Sequence, residues 1–473
     1  MATRLTKHLV WTEPGDDSKR AFDAAAPAAE ELLLSDPGGT QPQQAKGLSL
    51  DIFAAPRDQA IYLLHIGAEI EQALMVQYLY AAYSLGGDHL TDPAHKKLAD
   101  SWKATILEIA REEMGHLVTV ENLLTLIGGP ITFDRQDFPV PADVYPFPFE
   151  LEPLTKRSLG KYVLAEAPDD DTIAALGLTA EIDAIKKLVG GIGDRLQVNR
   201  VGIVYGAIRA LFQPPVVPQE PGPDPPAFIS SGDIQAGTLK FQVDPAEWGL
   251  GYKDILIETA IDRVTATAGI DAITIQGEGS TIGQFSSSHF GKFLEIYRKF
   301  PGKGGWQPAG NIARNPTTDS DAGPDRFISN ETAFFWAGLL NLRYRMLLMY
   351  LKHSFMVETP EADTARTARG LLVTWGFGEM YHIRSITEIL MKLPLKAGGG
   401  DLLAGPPFEM PYSLSIPARA ADRWRGHRDL LMASQKYVDK LLTLTGGEHE
   451  RYLKGMRSAN DSALAQVLTL IGG

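Results

Sequence analysis

Residues 58–85 and 92–127 constrain this chain more than any other stretch, because in each the apolar residues recur three and four apart. That spacing predicts amphipathic helices. Gly86-Gly87 ends the first run and Gly128-Gly129-Pro130 the second, while Asp92-Pro93 reads as an N-cap followed by proline at the first helical position. The short connection makes the two runs an antiparallel helical hairpin. Its inward faces carry charge. The stripe Ile106, Ala110, Glu113, Leu117, Val120, Leu124 and Ile127 contains a carboxylate, and His116 borders the same face one turn on. Glu71 sits likewise among Leu64, Ala68, Leu74, Met75, Tyr78 and Ala82. Ionisable groups on buried faces are costly unless they pair or bind a cation. A metal site in a bundle core takes one Glu from one helix and Glu-x-x-His from its neighbour. Glu71 with Glu113 and His116 supplies such a half-site.

The 473 residues include no cysteine, which removes disulfides, thiolate chemistry and iron–sulfur clusters together. Carboxylates and imidazoles remain as ligands, a set that suits non-haem iron (Fe) or manganese (Mn). The formal net charge of −13 argues against a nucleic-acid partner. Met1 to Val10 holds no apolar run of signal-peptide length, and the apolar helices are interrupted by Glu, Arg or His. The expectation is a cytoplasmic protein acting on a small-molecule substrate, with no nucleic acid and no membrane. It leaves room for a homo-oligomer or a biosynthetic-cluster partner.

Beyond the hairpin, Phe138 to Pro153 is rich in aromatic residues and proline, and short helices are expected near 155–166, 181–189 and 195–212. Gln213 to Pro226 is proline-rich and reads as a stiff linker. A helix over 254–275 is expected to break at Gly277-Glu278-Gly279, and another covers 289–298. A second long hairpin is expected over 331–356 and 362–393, then two tail helices between 419 and 470. Glu379-Met380-Tyr381-His382 echoes Glu113-Met114-Gly115-His116, so the two hairpins are expected to close one four-helix bundle. The resulting division is an irregular arm at 1–56, a bundle at 57–395 with an insertion at about 131–330, and a helical extension at 396–473.

The second half of a dinuclear site has two candidate sources. One is Glu278 with His289, aided by Glu166, acting as a loop that closes over the site. The other is Glu379 with His382. Arg343 stands on the second hairpin where the first has Glu71, on a stripe with Leu339, Leu340, Leu347 and Tyr350. An inward Arg343 can instead neutralise Glu71 or Glu379 as a buried ion pair and remove the need for metal. Tyr78 is the candidate catalytic residue, placed to hydrogen-bond a ligand or donate an electron.

Several blocks carry a family resemblance: Glu69-Ile70-Glu71, Gln77-Tyr78-Leu79-Tyr80, and Ile109 to Leu117 with its Glu112-Glu113-Met114-Gly115-His116 core. Val120 to Leu124, Ile127 to Pro130, Gln276 to Gly279, Ser288-His289-Phe290 and Asn341 to Phe355 extend it. Together they resemble the ferritin-like domain of the iminophenylpyruvate dimer synthase family, which acts in violacein- and rebeccamycin-type bis-indole pathways. The resemblance implies a mainly α, ferritin-like four-helix bundle with long loop-rich insertions and extra C-terminal helices. It implies an oxidoreductase using O₂ or peroxide on an amino-acid-derived imine or another natural-product precursor. Relatives often carry a Glu just before the position of Tyr205 and another three residues before that of His289. This chain has Ile203 and Val204, and Ser286, at those places. Two alternatives stand beside the enzyme reading: an inactive scaffold with an Arg343–Glu ion-pair core, and a manganese-catalase-like peroxidase.

Overall fold

The computed structural model describes residues 53–140, 147–190, 201–213, 228–248, 255–279, 283–357, 368–410 and 414–472. The arm at 1–56, apart from its last residues, and the proline-rich segment after Gln213 lie outside the described residues. The described residues are mainly helical, and their only β-structure is isolated bridges.

The first hairpin forms as its spacing predicts. Helix α1 runs Pro56–Ser84, with proline in its first turn, and stops before Gly86 and Gly87, both at positive φ. Helix α2 runs Pro93–Leu126, with the Asp92 side chain accepting from the Ala94 amide at 2.8 Å. Most of α1 is buried on every side, including the polar Glu69, Glu71, Gln72 and Gln77. A helix covered all round lies inside a domain rather than on its surface.

Six further helices of more than one turn follow this hairpin among the described residues. They are α3 Lys156–Ala165, α4 Asp170–Ala175, α5 Thr179–Val189, α6 Val201–Phe212, α7 Arg263–Glu278 and α8 His289–Lys299. Reciprocal side-chain and backbone bonds at Thr155/Ser158 and at Asp262/Thr265 start α3 and α7. Helix α6 packs on α1 and on α7, while α8 packs on α2, α3 and α7. Four more helices follow: α9 Glu331–Ser354, α10 Ala368–Leu390, α11 Ala420–Leu444 and α12 Glu450–Gly472.

The packing departs from the expected single bundle. Helix α9 pairs with α10, α11 with α12, and α9 lies against α11, so the second hairpin is closed by the tail helices. The first hairpin is closed by α6 and α7, out of the segment read as an insertion. Arg343 explains the choice. Its guanidinium bonds Glu379 on α10 at 2.9 Å, Ser434 on α11 at 2.7 Å and Asn460 on α12 at 2.7 Å. A buried cation needs that many acceptors at once, and only the tail helices supply the last two. The two units meet along one side of α1, where Gln72 Nε2 donates to the Tyr344 hydroxyl at 2.8 Å.

The second unit also encloses histidines without acidic partners. His353 Nδ1 lies 2.9 Å from His427 Nε2, both rings are buried, and Arg423 Nε donates to His353 Nε2 at 3.1 Å. Burial, with the neighbouring positive charge of Arg423 and His427 at His353, pushes each down to about 3. An unfolded histidine titrates near 6.5, so below that pH the unfolded chain takes up protons that the folded one refuses. The stability is present in full above pH 6.5 and falls as the pH drops toward 3. Between pH 7 and pH 5 the wild type is expected to lose about 2 kcal/mol more than a His427→Phe variant, measured by urea denaturation. Equal losses would show that His427 is already charged in the folded state.

Candidate metal centre

Four helices bring the chemistry together. Glu71 comes from the middle of α1, Glu113 and His116 from α2, Glu166 from the residue that caps α3, and His289 from the first turn of α8. All five side chains are buried. Pro168 stops α3 from continuing, which leaves Glu166 at its end rather than along its side. Ser288 caps α8 by accepting from the Gly291 amide, fixing where the His289 ring enters.

The five residues form two groups that share Glu113: Glu71, Glu113 and His116, and Glu113, Glu166 and His289. In each, one oxygen or nitrogen per residue lies within 4.8 Å of the others. The Glu113 carboxylate is divided between them. Its Oε2 lies 3.0 Å from His116 Nδ1, and its Oε1 lies 3.0 Å from His289 Nδ1. The outer carboxylates complete the pattern: Glu71 Oε2 is 3.4 Å from His116 Nδ1, and Glu166 Oε2 is 3.7 Å from His289 Nδ1. Each outer carboxylate accepts from a buried tyrosine, Glu71 from Tyr205 on α6 and Glu166 from Tyr78 on α1.

The imidazoles are oriented from behind. His289 Nε2 faces Glu112 Oε2 at 2.9 Å, and His116 Nε2 faces Gln276 Oε1 at 2.8 Å. Both partners are acceptors, so each Nε2 carries a hydrogen and each Nδ1 points inward, where a neutral ring would offer a lone pair to a cation. Outer acceptors of this kind hold metal-binding histidines in place. With only protons to balance the charge, the rings must take them up. Burial alone would lower His116, but its bonds to Glu113 and Glu71 raise it to about 10; the same contest raises His289. Burial and the nearby Glu113 push Glu71 up to about 7, whereas in Glu113 the two histidines overcome burial and lower it. Buried Glu113 Oε1 and His289 Nδ1, though adjacent, each lack a hydrogen-bond partner. A cation between facing donors of oxygen and imidazole type answers that defect, so the residues fit a metal.

Glu71, Glu113, His116 and His289 therefore come together, and Tyr78 reaches them through Glu166 rather than directly. Glu278 lines the same small pocket, with Leu74, Val201, Tyr205 and Ile273. It is the last residue of α7, which runs through Gly277, and His289 opens α8, so the expected closing loop is two helix ends. Gly202 lets α6 pass close to it: a Cβ there would lie 1.8 Å from Glu278 Oε1. Glu379 and His382 do not join. Glu379 is bound by Arg343, and His382 Nδ1 lies 3.1 Å from the Tyr452 hydroxyl. The Arg343 ion pair is present, but its carboxylate is Glu379, not Glu71.

Sequence reasoning gave Glu166 a supporting part only, and gave Tyr205, Glu112 and Gln276 no part at the site. Glu166 had one legible signal, a carboxylate between an apolar helical run and a proline. The echo of the two Glu-x-x-His motifs also conceals a difference. A Cβ at Gly115 would lie 2.3 Å from the Leu256 carbonyl oxygen, whereas Tyr381, its counterpart, is exposed. Among the described residues, only the first motif is crossed by another segment at this position.

Residues 64–298 match the ferritin-like family model, a span that ends before α9. Dichlorochromopyrrolate synthase of Lentzea aerocolonigenes is 25% identical over 415 residues, covering 77% of this chain and 37% of that protein. The 2-imino-3-(indol-3-yl)propanoate dimerase of Chromobacterium violaceum is 25% identical over 415 residues, covering 81% of this chain and 37% of that one. The chain thus spans 37% of the length of these curated relatives. A crystal structure of a ferritin-like protein from Caulobacter vibrioides aligns with a TM-score of 0.39 at 19% identity, over 69% of this chain and 97% of that one. No described helix is long and apolar enough to cross a membrane.

Proposed function

We propose that the site holds two non-haem metal ions, iron or manganese, and serves an oxidoreductase, a reading supported by the match of residues 64–298 to the ferritin-like family model. The observation that carries this reading is the division of Glu113 between two histidine-containing groups. Glu71, Glu113 and His116 would hold one ion, and Glu113, Glu166 and His289 the other. Such a pair supplies electron transfer and the activation of O₂ or peroxide when bound. The chain supplies the rest. Tyr205 and Tyr78 fix the outer carboxylates by donating to them, so that each keeps an oxygen for the cation. Leu74, Val201 and Ile273 make an apolar wall that limits water at the site. Glu278, in the same lining, can hold a proton or an ammonium or iminium group of the substrate.

The substrate class is an amino-acid-derived imine or another natural-product precursor, undergoing oxidation or oxidative coupling. Its support is the likeness to the two relatives, a synthase and a dimerase. The test uses untagged protein loaded anaerobically with Fe(II) and then exposed to oxygen. We expect close to two ions per chain and uptake of oxygen that the imine accelerates. Less than about a tenth of an equivalent of iron or manganese after reconstitution would sink the metalloenzyme reading. Evolution of oxygen from peroxide, without any effect of the imine, would favour a catalase-like activity instead.

A further inference from the structure

We infer that the two metal positions are inequivalent, and that Glu112 makes the one at His289 the tighter. The inference rests on the dinuclear reading above but concerns groups outside the ligand set. Behind His289 stands a carboxylate, Glu112 Oε2 at 2.9 Å from Nε2; behind His116 stands a neutral amide, Gln276 Oε1 at 2.8 Å. A carboxylate draws on the ring N–H more strongly than an amide oxygen does, which raises the electron density at the opposite nitrogen. Glu112 is built to stay charged. Lys292, one turn beyond His289 on α8, reaches both its oxygens at 3.2 and 3.3 Å and also Glu108 at 3.2 Å. Glu108, Glu112 and Lys292 together leave one net negative charge beside His289.

The positions differ in access as well. All three residues of the His116 group line the pocket, whereas of the other group Glu113 and Glu166 line it and His289 does not. The position at His116 therefore faces the pocket with its whole ligand set and is the more exchangeable one, while Glu112 holds the position at His289. Glu112 acts through His289 and is a positioning residue.

The experiment is a Co(II) titration of the metal-free full chain, followed by ligand-field absorption and by calorimetry. The wild type is expected to bind two ions in separate steps, at least about tenfold apart. Glu112→Gln is expected to weaken the tighter step about 10- to 100-fold and leave the weaker one within about twofold. Gln276→Glu places a carboxylate behind His116 and is expected to tighten the weaker step, a gain that a merely structural role would not give. Circular dichroism checks that both variants are folded, and if Glu112→Gln is not, Gln276→Glu decides alone. Two ions bound in a single step, equal weakening of both steps by Glu112→Gln, or no tightening by Gln276→Glu would each overturn the inference. Failure of the wild type to bind any cobalt would instead bring down the metal reading beneath it.

Discussion

Glu113→Ala is expected to strip both ions from the protein, because it removes the one carboxylate that both groups use. The loss should exceed the roughly 10- to 100-fold weakening that follows from removing an outer partner of a ligand. Elemental analysis after reconstitution reads it directly. Glu71→Ala and Glu166→Ala should each cost one ion, since each belongs to one group only. Glu379→Ala should cost none: its motif looks the same in sequence, but its carboxylate belongs to Arg343. Glu108→Ala should also keep both ions, because Glu108 belongs to neither group and bonds Lys292 on the outer side. Retention of two ions by Glu113→Ala would place the metal elsewhere.

Arg343→Met carries the second large effect, and it falls on stability rather than on metal. The change leaves Glu379 buried without its cation, and breaking a buried pair from one side costs about 3–5 kcal/mol. It also removes the donor to Ser434 and Asn460, so α12 loses this polar link to α9 and α11 is left with others, such as His427 on His353. The double variant Arg343→Met with Glu379→Leu should recover most of the loss, since both charges are then gone and the volume is kept. Denaturant unfolding gives both numbers. The metal content of either variant should match the wild type, because this network lies in the other unit. A fall in metal content in the double variant, at full stability, would show that the two units share one site.

Much of the first unit is legible in the sequence because it depends on local signals. The glycine pairs after α1 and α2, the Asp92-Pro93 start and the spacing of apolar residues each act within a few residues, so the hairpin and its inward Glu71, Glu113 and His116 follow from them. What closes that hairpin is not local. Helix α6 is short, and α7 is rich in Thr, Ile and Ala with little contrast between its faces, so neither advertises a partner. The longer, more regular α9 and α10 advertise more strongly, and the echo of Glu113–His116 in Glu379–His382 makes them the natural choice on paper. Their actual partners are decided by the acceptors of Arg343, which lie 91 and 117 residues further along. Glu166 is hidden for a similar reason. It belongs to no Glu-x-x-His motif, and only the placing of α3 against α8 brings it to His289. It is a third inward carboxylate, reached through a helix end where the sequence pattern shows only a turn.

The central claim is that Glu113 is shared between two metal positions. The most direct measurement is an anomalous-scattering map from crystals of protein reconstituted with manganese or iron, collected on both sides of the metal absorption edge. Two peaks are expected, one among Glu71, Glu113 and His116 and the other among Glu113, Glu166 and His289. A peak beside Glu379 and His382, or an occupied site that leaves Glu113 bound only to the two histidines, would contradict it.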